Sequence, residues 1–167
     1  MKHADHVALI KDGVEDGGGR WADLGAGEGA FTLALADVLG PDGHIVAVDR
    51  DARALRALDG RFETRVADFT RPMDLNDLDG VLMANSLHFA RDREPVLTAV
   101  RAMLRRGGRL IIVEYGTDRG NAWVPYPFSY PRWETMAARA GFTGTRLLRT
   151  VPSRWLSSMY SALSLSP

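Results

Sequence analysis

The run Trp21-Ala-Asp-Leu-Gly-Ala-Gly-Glu-Gly-Ala-Phe31 constrains the fold more than any other stretch of this chain. It reads as a strand that stops at Asp23 or Leu24, a turn with glycine at every second position (Gly25, Gly27, Gly29), and a helix starting near Glu28. Glycine lets backbone approach a ligand closely and tolerates the positive φ angles such a turn needs. A turn of this kind, at the carboxyl end of a strand and opening onto a helix N-terminus, is a nucleotide-type cofactor site in open α/β sheets.

The rest of the chain supports such a sheet. Helical and strand patterns alternate, which implies parallel strands joined by crossover helices. The expected strands are Arg20–Leu24, His44–Val48 (ending at Asp49), Phe62–Val66, Gly80–Ala84 and Arg109–Glu114. Leu-Ile-Ile-Val in the last of these is apolar enough to be buried on both faces. The expected helices are Ala4–Lys11, Gly29–Leu39, Asp51–Leu58 with Asp51 as cap, and Arg93–Leu104. Gly40-Pro-Asp-Gly43 and Arg105-Arg-Gly-Gly108 are their stops. The tail differs: Thr117–Tyr130 is a loop rich in Pro, Gly and aromatics, and Pro131–Ala140 is a helix with Trp133, Met136 and Ala137 inward. Phe142–Thr150 and Arg154–Leu165 pair as an antiparallel hairpin closing one sheet edge.

A length of 167 residues suits one domain. The 21 basic and 21 acidic residues cancel, so no global field draws the protein to nucleic acid or to an anionic membrane. All but Lys2 and Lys11 of the basic residues are arginine, a bias read as compositional rather than as phosphate chemistry. There is no cysteine, which excludes disulfides, zinc–thiolate sites and thiol nucleophiles. No apolar run approaches the roughly 20 residues of a membrane span, and the cytoplasm is the expected location. The four histidines (His3, His6, His44, His88) show no metal spacing beyond His3-x-x-His6.

The glycine run alone leaves two cofactors open. Gly25-x-Gly27-x-x-Ala30 satisfies the G-x-G-x-x-A dinucleotide fingerprint, and Asp49 stands 24 residues after Gly25, where an acid would hold a ribose. An NAD(P)-dependent oxidoreductase is one candidate. Against it, Asp23 would repel a pyrophosphate at the end of the first strand. A cofactor carrying a cationic amino group would instead match Asp23.

Asp23-Leu-Gly-Ala-Gly-Glu-Gly29 resembles the first motif, D/E-x-G-x-G-x-G, of the class I S-adenosylmethionine-dependent methyltransferases. Ile45–Asp49, Ala67-Asp-Phe69, Gly80–Asp92 and Leu104–Glu114 resemble the four motifs that follow in that family, in order. The stretch Ala84-Asn-Ser-Leu-His88 is most similar to the small-molecule, quinone-methylating branch, and it lacks the Asn-Pro-Pro-Tyr signature of enzymes that methylate nucleic-acid amines. The resemblance covers about residues 20 to 165. It implies a Rossmann-like seven-stranded sheet of order 3-2-1-4-5-7-6 with strand 7 antiparallel and helices on both faces. It implies one domain over 1–167: an N-terminal segment (1–19), a cofactor-binding half (20–115), and a substrate-side loop, helix and hairpin (116–167).

The resemblance also implies roles. S-adenosyl-L-methionine would be the cofactor and S-adenosyl-L-homocysteine the product. Gly25, Ala26, Gly27 and Gly29 would form the turn that presses backbone against the methionine part, and Asp23 would offset its ammonium. Asp49 would accept both ribose hydroxyls, Arg50 would cover the adenine face, Asp68 would accept from the adenine amino group, and Phe69 would border the base. Asn85 and Ser86 would orient cofactor or substrate at the mouth of strand four, and His88 is the candidate general base. Methyl transfer from a sulfonium is an in-line displacement, so alignment and exclusion of water are the enzyme's main tasks. Tyr115, Trp123, Tyr126 and Tyr130, with Phe128, would wall a site for a small organic acceptor. The segment His3–Gly13 is expected on the same side. The chain departs from larger family members: it has no long N-terminal cap, and about a dozen residues join strands three and four, too few for a crossover helix. The pocket is therefore open, completed by a second subunit in a homodimer, or suited to a larger acceptor. A cofactor-binding module without transfer activity is a further alternative.

Overall fold

A computed structural model describes residues 1–14, 17–153, 156 and 158–167. The elements in chain order are α1 (His3–Ile10), β1 (Gly19–Leu24), α2 (Ala30–Leu39), β2 (Gly43–Asp49), α3 (Ala52–Leu55), β3 (Glu63–Val66), β4 (Leu78–Ala84), α4 (Glu94–Met103), β5 (Leu104–Tyr115), α5 (Tyr130–Arg139), β6 (Thr143–Pro152) and β7 (Ser158–Leu165). The strands form one sheet of order β3-β2-β1-β4-β5-β7-β6, with β7 antiparallel to both its neighbours. This is the expected doubly wound topology.

Strand periodicity divides the core. Ala22 and Leu24, Val46 and Val48, Val81 and Met83, and Leu110 and Ile112 pack on one face beneath α4 and α5. The residues between them, Trp21, Ile45, Leu82, Ala84, Ile111 and Val113, pack on the other beneath α1 and α2. Successive side chains of a strand point to opposite faces, so a continuous apolar run such as Leu110–Val113 feeds both layers. α4 turns Val96, Leu97, Val100 and Met103 inward, and Pro95 sits in its first turn, where a missing N–H costs nothing.

The differences from expectation are local. Asp51 caps α3 as expected, its Oδ1 accepting the Arg53 N–H at 2.8 Å, but the α-helix lasts four residues and Arg56–Leu58 tightens to 3-10 geometry. Arg105–Gly108 does not simply end α4. Leu104 lies opposite Leu78 and Arg109 opposite Gly80, so these four residues bulge out of β5. Gly107 N–H and Gly108 carbonyl bond to Ser166 and hold the bulge to the chain's end. α1 buries Leu9 and Ile10 in the second core layer and sets His6 against Phe31, the rings tilted by 53° with centroids 4.6 Å apart. The expected start of the last strand at Arg154 lies outside the described residues. Residues 67–77 join β3 to β4 with no helix among them, as the short spacing predicts. No helix among the described residues is long and apolar enough to cross a membrane.

Candidate functional site

The carboxyl ends of β1, β2, β3 and β4 converge on a cavity of about 420 Å³. Gly25, Asp49, Arg50, Ala67, Asp68, Phe69, Thr70, Asn85, Ser86 and Phe89 line it. Seven of these are sequence-predicted site residues; Ala67, Thr70 and Phe89 are not.

The turn after β1 is held from beneath. Gly25 and Ala26 N–H donate to the Val48 carbonyl at 2.8 and 3.0 Å, and Gly27 N–H donates to Asp49 Oδ2 at 2.8 Å. Asp49 Oδ1 accepts the Asp51 N–H at 2.8 Å. Asp49 thus anchors the glycine turn as well as bordering the cavity, and each of its oxygens keeps one lone pair for a further donor. Gly29 N–H donates to the Ala26 carbonyl. The turn's donors at these four positions are already matched, which leaves a diphosphate no cradle of amides there. The glycines differ in purpose. Gly27 has φ +54, and a Cβ built there meets nothing within 4 Å, so its open side is free for a ligand. A Cβ on Gly29 would overlap the Leu58 side chain, so Gly29 serves the packing of α2 against Leu58 rather than a ligand contact. Ala26 turns its methyl into the cluster of Ala47, Leu55 and Leu58. Neither Ala26, Gly27 nor Gly29 lines the cavity with its side.

Asp23 lies under this turn, 1% exposed. Its Oδ2 accepts the Thr32 hydroxyl at 2.6 Å, while Oδ1 is buried without a partner. Burial pushes its carboxyl up to about 7; the Thr32 hydroxyl opposes the rise and the Asp49 charge adds to it. Thr32 was not singled out in the sequence. Its signal was one hydroxyl on the inward face of an otherwise apolar helix.

At the β3 end, Asp68 Oδ1 accepts the Thr70 N–H and hydroxyl at 2.9 and 2.7 Å, which holds its carboxyl below the usual range. Oδ2 remains for another donor. Arg50 is exposed at the rim and adds a favourable charge to Asp68. At the β4 end, Asn85 adopts the left-handed conformation, φ +53, and its Oδ1 is buried without a partner. A non-glycine residue in this region costs of order 1 kcal/mol or more. The Ser86 hydroxyl donates to the Leu24 carbonyl at 2.7 Å and ties β4 to β1. Ser86 therefore shapes the cavity wall, and its hydroxyl proton is already spent.

His88 stands beside the cavity rather than in its wall. Its Nδ1 lies 2.7 Å from Glu114 Oε2, and its backbone N–H donates to Oε1 at 3.2 Å. The two side chains are 3% and 0% exposed. In the tautomer with the proton on Nδ1, the ring donates to Glu114 and Nε2 carries a lone pair. The imidazole ring lies 4.3 Å from Phe89, which lines the cavity, and 5.8 Å from Tyr115. Burial beside Glu114 raises the Tyr115 phenol. Glu114 was missed as a site residue. Its signal was a lone acid closing the apolar run Leu-Ile-Ile-Val on β5.

The expected aromatic wall is not assembled. None of Tyr115, Trp123, Tyr126 and Tyr130 lines the cavity. Trp123 is 79% exposed. Tyr130 donates its hydroxyl to Glu134 at 2.9 Å and sets its ring against Tyr160. Phe128 is in the core, its carbonyl accepting the Tyr160 hydroxyl at 3.0 Å. Of this loop's rings Phe128 and Tyr130 pack on α5 and β7, where the core face offers area to bury, whereas Trp123 and Tyr126 stay exposed. Residues 1–14 do not reach the cavity either, because Leu9 and Ile10 draw α1 onto the second core layer. Among the described residues no three His, Asp or Glu side chains are placed to hold a metal ion.

The sequence pattern of the family described as Methyltransferase domain matches residues 22–110, and the chain belongs to that family. Its sheet is that of the class I S-adenosylmethionine-dependent methyltransferases. The ubiquinone/menaquinone biosynthesis C-methyltransferase UbiE of Pseudomonas savastanoi pv. phaseolicola is 32% identical over 137 residues, covering 74% of this chain and 53% of that enzyme. The highly reducing polyketide synthase aurA of Calcarisporium arbuscula is 26% identical over 166 residues, covering 79% of this chain and 7% of the synthase. The chain thus spans about half the length of the first protein and a small part of the second. A crystal structure of a SAM-dependent methyltransferase from Thermotoga maritima shares the fold with a TM-score of 0.80 at 16% identity, covering 99% of this chain and 89% of that one.

Proposed function

We propose that the chain is an S-adenosylmethionine-dependent methyltransferase that passes the methyl group directly to a small organic acceptor, and that His88 backed by Glu114 removes the acceptor's proton. The observation that carries the cofactor is the buried, unpartnered Oδ1 of Asp23 under a glycine turn whose amides are already matched. Such an oxygen wants a donor, and an ammonium or a water bridging to one supplies it. A diphosphate would add negative charge above it. S-adenosylmethionine, when bound, supplies a sulfonium-borne methyl group whose displacement needs no covalent enzyme intermediate.

In this reading Gly25 and the open side of Gly27 bound the methionine portion. The free lone pairs of Asp49 accept the ribose hydroxyls. Asp68 Oδ2 accepts from the adenine amino group, between Arg50 and Phe69. Asn85 Oδ1, at the β4 mouth, orients the groups nearest the transferred methyl. His88 takes the proton at Nε2 while Glu114 holds the ring by Nδ1 and offsets the charge that develops. A base suits carbon or oxygen acceptors whose proton must leave as the methyl arrives, and the carbon-methylating relative named above supports that class.

The test is paired. Isothermal titration should show S-adenosylhomocysteine binding and no NAD(H) binding. Transfer of label from methyl-labelled S-adenosylmethionine should then be followed across a panel of phenols, quinols and β-dicarbonyl compounds. NAD(H) binding without S-adenosylhomocysteine binding would overturn the cofactor. Homocysteine-nucleoside binding without transfer to any acceptor would reduce the chain to a cofactor-binding module.

A further inference from the structure

A second cavity, of about 300 Å³, lies between the start of α4 and α5. Arg91, Arg93, Arg132 and Arg139 line it together with Asp92 and Glu94. Four guanidiniums and two carboxylates share this lining, with Asp118 beside Arg132 and the Glu114 charge acting on Arg93 from behind. These charges are not spent on each other. Among the described residues neither Asp92 nor Glu94 forms an ion pair with the four arginines, and the nearest carboxylate contact is Arg132 to Asp118 at 4.0 Å. The arginine bias of the sequence, read above as compositional, is here gathered in space.

Arg93 is the fixed member. Its guanidinium lies over the Phe128 ring, 4.6 Å from the centroid, and donates to the Tyr126 carbonyl. Its Nε is buried without a partner. The Tyr126 N–H in turn donates to the His88 carbonyl at 3.1 Å, so one residue connects the groove to the proposed base. The remaining lining includes Leu97 and Met136, which offer apolar surface for carbon attached to the anion.

We propose that this groove binds a phosphate monoester carried by the methyl acceptor. Arginine forks match phosphate oxygens in pairs. Four guanidiniums provide more donors than the two oxygens of a carboxylate can accept. A phosphate monoester carries close to two negative charges at neutral pH, enough to engage Arg91 and Arg139, for which no carboxylate contact is seen among the described residues. The identity of the occupant as the acceptor rests on the methyltransferase reading; the anion site itself does not.

The test uses the full chain and inorganic phosphate at constant ionic strength, followed by amide NMR shifts, with chloride as control. Saturable shifts should appear at residues 91–97 and 132–140. The double variant Arg132→Ala/Arg139→Ala should weaken phosphate binding about tenfold or more. Its S-adenosylhomocysteine affinity should be unchanged, which also shows that it is folded. Shifts that do not saturate, that chloride reproduces, or that survive in the double variant would overturn the groove. Saturable phosphate binding in a protein that does not bind S-adenosylhomocysteine would remove the methyltransferase reading and leave the anion site standing.

Discussion

The affinity for S-adenosylhomocysteine should rise from pH 6 to pH 8 because Asp23 ionises in that window. The carboxyl is buried and held up to about 7, against an ordinary value of 3.8. Only the carboxylate can offset an ammonium. With a folded value near 7, about a tenth of the molecules are ionised at pH 6 and about nine tenths at pH 8. The affinity should therefore rise by just under about tenfold, close to 1.4 kcal/mol. Titration calorimetry in buffers of different ionisation enthalpy reads the same event as a proton released on binding. Release should approach about one proton at pH 6 and fall toward zero by pH 8. Asp23→Asn should bind more weakly than wild type at pH 8 and lose the dependence. Linkage gives the free protein the opposite slope. The unfolded chain ionises Asp23 near 3.8 and the folded one near 7, so the stability due to this group is full below about 3.8 and is lost as pH rises toward 7. An affinity flat from pH 6 to 8, or stronger at pH 6, would refute the reasoning.

Other outcomes follow from the same geometry. Asp49→Ala should weaken S-adenosylhomocysteine binding about tenfold or more, since it removes both an acceptor and the anchor of Gly27; unchanged affinity in titration calorimetry would take Asp49 out of the ribose role. His88→Ala should lower turnover about 100-fold or more with little change in cofactor affinity, and Glu114→Gln should lower turnover while moving the pH profile; equal losses in binding would make the pair structural. Gly29→Ala should lower Tm by overlapping Leu58, at a cost of about 1–3 kcal/mol. Gly27→Val should abolish S-adenosylhomocysteine binding, since a branched side chain fills the ligand's side and is strained at φ +54, and should lower Tm through a loss of about 1–2 kcal/mol of stability; normal binding in titration calorimetry would take this turn out of the cofactor contact.

The sheet was legible because strand and helix periods alternate cleanly and the turns carry their glycines, as at Gly40 and Gly141. The strand-end acids were legible from their place after a strand: Asp49 closes the apolar run Ile45–Val48, and Asp23 and Asp68 stand at the ends of shorter strands. Contacts made across the sheet were harder. Glu114 reaches His88 through 26 positions, and Thr32 reaches Asp23 from a neighbouring helix, so spacing along the chain does not show either pair. For the aromatic loop, sequence gives the number of rings and not the side they bury. Phe128 and Tyr130 went to the core, and Phe89, an ordinary core-type residue in sequence, lines the cavity instead. The arginines were read as a compositional bias, since Arg91 and Arg139, 48 positions apart, come to line one groove only in the folded chain.

The helix-free link from β3 to β4 sets how the site trades its small molecules. Where a crossover helix would cover this end of the cavity, the link supplies Ala67, Asp68, Phe69 and Thr70 to its lining. If the adenine lies against Asp68 and Phe69 as proposed, analogues enlarged on the outer edge of the purine should still bind, since no helix crosses that margin.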